Sequence, residues 1–135
     1  MSFPSHNKNN SVDSDVSMRS HVAKTVSACY MVLRQLRTVR RSVSRSVLQS
    51  LVSSLVLSRL DYSNSTLAGV SSHLLSRLQS VMNAAARLIF FSSRFQHITP
   101  LLRQLHWLKA PERIAFKQSV LVYIVSTRVR TCIPY

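Results

Sequence analysis

Residues Val43–Leu60 run VSRSVLQSLVSSLVLSRL, and whether they form a helix or a strand decides the fold. The valines and serines argue against a helix, because branched side chains lose rotamer freedom against the preceding turn and serine hydroxyls compete for backbone groups. The spacing points the other way. Val43, Val47, Leu48, Leu51, Val52, Leu55, Val56 and Leu60 recur at steps of three and four, which gathers them on one side of a helix and would scatter them over both faces of a strand. The stretch is therefore expected to be a helix that depends on burial for its stability, with Ser42 or Ser44 placed to cap its first turn.

The same periodicity extends outward in both directions. Upstream, Val22, Val26, Cys29, Tyr30, Leu33 and Leu36 form the apolar face of a first helix, with Lys24, Arg34 and Arg37 elsewhere on the wheel. Downstream, Ser71 or Ser72 opens a third helix through Phe90, with Leu74, Leu75, Leu78, Val81, Met82, Ala85, Leu88 and Ile89 on its buried side. The run Ala84–Ala86 lets a neighbouring helix come close. Gly69, the only glycine, is expected to end the second helix in a left-handed conformation. Thr99 and Pro100 read as the cap and first position of a short helix to about His106, and Pro111 with Glu112 opens a last helix to about Thr127. Trp107 and Tyr123 are expected as core anchors. Met1 to about Ser17 is polar and aperiodic, which reads as a disordered arm. The sum is an all-α bundle of four to five helices over residues 18–127, with that arm before it and a divergent tail at 128–135.

Eighteen Lys and Arg against four Asp and Glu in 135 residues leave a formal charge of +14, a surplus that calls for a polyanionic partner. Arg dominates, and its planar fork suits phosphate. The cations Lys24, Arg34, Arg37, Arg40, Arg41 and Arg45 are the expected contacts to an RNA or DNA backbone, five of them concentrated at the end of the first helix and in the turn after it. An anionic membrane surface is the alternative partner. A single glycine excludes glycine-rich phosphate loops. His73, His97 and His106 lack metal-ligand spacing, no nucleophile motif is present, and no cofactor or metal is expected. Cys29 and Cys132 read as free thiols of a reducing compartment. No signal-peptide core is evident and the longest clean apolar run is Leu121–Val125, so an intracellular protein that neither is secreted nor spans a membrane is expected. Asp61, beside Tyr62 at the end of the second helix, is expected to pair with Arg87 or Arg113 and fix helix register, and Asn83 to make a hydrogen bond in helix packing.

Three segments carry a family resemblance: RLDYSNSTLAGVSSHLLSRLQSVMNAAARLI (59–89), HITPLLRQLHWL (97–108) and ERIAFKQSVLVY (112–123). In that order they resemble the region downstream of the polymerase palm in reverse transcriptases of non-LTR (LINE-type) retrotransposons, which show a comparable LDYCNSLLAGLP, QNAAARLL, HITPVL, LHWLPV and RIDFKLLLLVYK. The likeness runs from about Val12 to Tyr123. It implies a thumb and connector that grips template and primer, with the metal-binding aspartates upstream, so that this segment is non-catalytic and its other partner is the palm and fingers of the parent polymerase. Asp13 and Asp15 match the segment joining palm to thumb and not the catalytic pair. The sequence departs from the pattern at Ser63, where the family has Cys, and at Lys109–Pro111, which replaces a Pro-Val pair. Residues 1–11 and 124–135 do not follow it. By that resemblance both ends look like truncation or reading-frame drift, so a decayed reading frame without function is the third expectation beside nucleic-acid and membrane binding.

Overall fold

The structure, a computed structural model, describes the backbone of residues 9–64 and 69–131 and the side chains of residues 15–62 and 69–130. Its elements are α1 (Asn9–Val39), α2 (Arg45–Val52), a π-helical turn (Ser53–Leu57), α3 (Ser58–Asn64), α4 (Ser72–Phe90), α5 (Thr99–Gln104) and α6 (Ala110–Thr131). Helical backbone continues through the junctions at Val52, Ser53 and Ser58, so α2, the π turn and α3 form one rod. Counting it once, the described residues form an all-α bundle of five helices.

Ser44 caps the rod: its backbone is extended and its hydroxyl accepts the Val47 N–H at 3.4 Å. The rod buries Leu48, Val52, Val56, Leu57 and Leu60, and Val47 and Leu55 of the expected stripe are exposed. Successive steps of four from Leu48 to Leu60 overshoot an α-helical turn of 3.6 residues by about 40° each. A wider turn absorbs that drift. The Ser58 N–H accordingly reaches five residues back to the Ser53 carbonyl, the hydrogen-bond step of a π bulge.

The core joins this stripe to Val22, Val26, Cys29, Leu33 and Leu36 of α1 and to the buried side of α4, and Leu101, Leu102 and Leu105 of α5 with Ala110 and Ile114 of α6 close one side of it. Ala85 and Ala86 are fully buried. Trp107 is half-buried against the same core. Cys29 lies at its centre, 4.0 Å from the Val56 carbonyl, and burial pushes its thiol pKa up against the opposing pull of the Arg59 charge.

The ends of the elements depart from expectation for identifiable reasons. Residues 9–17 hold no proline or glycine, and the helix anchored at Val22 runs back through them to Asn9; residues 1–8 of the expected arm lie outside the described residues. Gly69 is left-handed at φ 79 and lies in the turn that enters α4; its expected role in ending the second helix falls on residues 65–68, which lie outside the described residues. α5 begins one residue before expectation: Ile98 is its N-cap, its carbonyl accepting the Leu102 N–H at 3.1 Å. Thr99 and Pro100 are thus its first two residues, where a missing proline N–H costs nothing. It closes at a left-handed His106, with the Trp107 N–H on the Leu102 carbonyl and the His106 N–H on that of Arg103, both at 3.0 Å.

Two polar joints seat α6. The Gln79 side chain accepts the Ala110 N–H at 2.7 Å and donates to the Asn83 Oδ1 at 2.8 Å, which satisfies a free donor of the first turn, and Glu112 accepts the Lys109 N–H at 3.2 Å. Further along, Arg113 meets Asp61 through two parallel bonds, Nε to Oδ1 at 2.6 Å and Nη2 to Oδ2 at 3.0 Å, and Lys117 donates to the Asp61 carbonyl at 3.3 Å. Arg87 has no part in this pair. Beyond Gln118, α6 leaves the bundle. Every side chain from Ser119 to Arg130 is exposed, and Tyr123, expected as a core anchor, is 71% exposed because no other described helix accompanies α6 that far. The helix continues to Thr131, so residues 128–131 of the expected tail are helical and Cys132 to Tyr135 lie outside the described residues.

Asp61→Asn keeps the shape of the pair and removes its charge. With Asp61 and Arg113 about a quarter and a fifth exposed, the cost falls between those of surface and buried ion pairs, at about 1–2 kcal/mol of unfolding free energy in urea; an unchanged midpoint would show the clasp to be idle. A chain stopped after Ser119 should unfold within about 1 kcal/mol of the full chain and scatter less light at equal concentration. A larger loss of stability would mean that the distal half of α6 is packed.

Candidate nucleic-acid interface

The turn between α1 and α2 is closed by the Ser42 N–H on the Val39 carbonyl at 2.9 Å. It brings five of the six predicted cations into one corner: Arg34 and Arg37 on the last turns of α1, Arg40 and Arg41 in the turn, and Arg45 at the first position of α2. They divide into two groups. Arg40 lies over the Phe91 ring, 4.9 Å from its centroid, and Arg45 over the Phe90 ring at 5.3 Å. Those contacts brace the corner against the end of α4, each by about 0.5–1 kcal/mol for an exposed cation–π pair. Arg34, Arg37 and Arg41 are exposed and have no acid, ring or hydrogen-bond partner among the described residues.

The bracing depends on an unusual helix end. Phe91 is left-handed at φ 54, a conformation that costs a non-glycine residue about 1–2 kcal/mol. The Phe91 and Ser92 N–H groups both turn back to the Arg87 carbonyl, and each of the two rings lies under one guanidinium group. Arg87 itself is half-buried, and its Nε is buried without a hydrogen-bond partner.

Between the corner and α4 runs a groove of about 240 Å³, lined by Tyr30, Leu33, Arg34 and Arg37 of α1 and by Ala84 and Leu88 of α4. Tyr30, expected on the buried face, sits at its edge and is 39% exposed. The sixth predicted cation, Lys24, is elsewhere. Ten residues put it about 15 Å from Arg34 along the helix axis, in a second groove of about 430 Å³ with His21, Thr25, Ala28, Ser58, Arg59 and Tyr62. Arg59, which the sequence reading had not singled out, is the cation that accompanies it.

The residues expected to be structural stand apart from the corner. Asp61, Asn83 and Trp107 belong to the joints and packing described above, Tyr62 is exposed beside Asp61, and Gly69, Thr99 and Pro100 serve turns and helix starts. No three His, Cys, Asp or Glu side chains come together among the described residues. The pairings of Arg40 and Arg45 with Phe91 and Phe90 could not be read from spacing, since they join residues some fifty positions apart. The shared stripe of Tyr30, Arg34 and Arg37 could have been, because steps of four and three align on a helix.

No family model, curated protein or solved structure matches the chain.

Proposed function

We propose that this chain is a non-catalytic module that holds nucleic-acid backbones without reading their sequence, the thumb and connector segment of a non-LTR retrotransposon reverse transcriptase. One observation carries the binding half of this proposal: three unpartnered arginines, Arg34, Arg37 and Arg41, share a corner with two more that are fixed by aromatic rings. Guanidinium groups without acids nearby stay available to phosphate, and the braced pair limits how far the corner flexes on binding. The family half rests on the motif resemblance, and the placement of those motifs supports it. Asp61 of RLDY and Arg113 of ERIAF form the clasp, Asn83 of NAAAR holds the glutamine that seats α6, and HITP and LHWL open and close α5.

A second reading draws on α6. Its distal half exposes the apolar run Val120 to Val125, followed by Arg128 and Arg130 in the last turn, and exposed apolar side chains beside cations suit contact with an anionic bilayer surface. No described helix is long and apolar enough to cross a membrane.

Binding to a duplex should fall steeply with salt, by about 0.9 in the slope of log affinity against log salt for each phosphate held. Arg34→Gln, Arg37→Gln and Arg41→Gln together should flatten that slope, and no primer extension should occur. A flat response in the unaltered chain would overturn the backbone reading. Anionic vesicles in competition with duplex decide the second: capture that duplex cannot reverse, and that the chain stopped after Ser119 loses, would favour the membrane.

A further inference from the structure

Resting on the backbone reading, we propose that the groove between α1 and α4 seats one unpaired base of a single strand against Tyr30, with the neighbouring phosphates held by Arg34 and Arg37. The corner would then prefer single-stranded nucleic acid over duplex.

Helical spacing sets the three side chains on one stripe, Arg34 about 6 Å and Arg37 about 10 Å beyond Tyr30 along the axis. Of the apolar residues on this face of α1, Leu33 is 7% exposed and Tyr30 39%. An aromatic ring is thus left open at the lip of an apolar floor. Leu33 and Leu88 supply that floor, and the small Ala84 leaves room above it. At about 240 Å³ the groove is smaller than the roughly 300–1,000 Å³ of small-molecule sites, which suits a flat ring inserted from a chain that is held elsewhere. No acid lines it, so nothing in it repels a phosphate. Every base has a face that stacks on an aromatic ring, so the site needs no sequence preference. A duplex keeps its bases in the helix and would offer the arginines only phosphates, leaving Tyr30 without a ring to stack on.

The test compares three fluorescent ligands of the full chain by anisotropy: a 20-nucleotide oligodeoxyadenylate, an abasic strand of the same length, and a 20-base-pair duplex. The base-bearing strand should bind about 5- to 150-fold more tightly than the abasic one, the range of a single base–aromatic stack. Tyr30→Leu should abolish that difference and leave abasic and duplex affinities unchanged, whereas Tyr30→Phe should keep it; helical circular dichroism checks that both variants fold. Equal affinity for base-bearing and abasic strands, or a Tyr30→Leu variant that still discriminates, overturns the groove proposal alone if binding to all three remains salt-dependent. Salt-independent binding, or none, overturns the backbone reading with it.

Discussion

The valine- and serine-rich rod forms a helix because it is covered. Its intrinsic preference is poor, and most helical stability in proteins comes from packing of an apolar face, so its existence depends on pressing Leu48, Val52, Val56 and Leu60 into the core shared with α1 and α4. Each of those side chains is almost fully removed from water, and burial of that completeness stabilises by about 1.5–3 kcal/mol per side chain. The constraint propagates in both directions. Ala85 and Ala86 of α4 are fully buried in the same core, and α3 presents Asp61 at the place where Arg113 of α6 arrives.

Charge is arranged around that core by segregation. Among the described residues, Asp61 is committed to Arg113, and Glu112 turns back to its own helix start. Little negative charge remains to neutralise the cations at the α1–α2 corner. Among the described residues their mutual repulsion is met by the faces of Phe90 and Phe91 and by no acid at the corner. A polyanion that binds there gains from a repulsion already present in the free chain.

The periodic parts of the fold were legible in the sequence because burial and helical spacing are the same fact seen twice. Val22 to Leu36 and Leu74 to Ile89 carry three-four repeats, and the structure buries nearly all of them. Ser44 was legible as a cap, and Arg113 as one of two partners for Asp61. What spacing could not convey was where one helix outlasts its neighbours. Tyr123 has apolar residues on either side along the chain, yet no described helix lies opposite it in space. Nor could spacing anticipate Phe91 in a left-handed conformation, a position usually left to glycine, or the start of α5 at Thr99 with Ile98 as its N-cap, which a hydrogen bond decides by a single residue. At the candidate site, the five arginines of the corner were legible from their density. Their division into braced and unpartnered groups was not, since the rings that divide them come from the far end of α4.

The π turn at Ser53–Leu57 has a consequence for how this chain tolerates change in length. A π bulge is an α-helix with one surplus residue folded into a single turn. Losing one residue there would regularise the helix, convert the steps from Leu48 to Leu60 into an ordinary mixture of threes and fours, and leave the flanking faces aimed as before. The same loss within α4 would swing everything after it by about 100°. The rod thus contains one spare position, and α4 contains none.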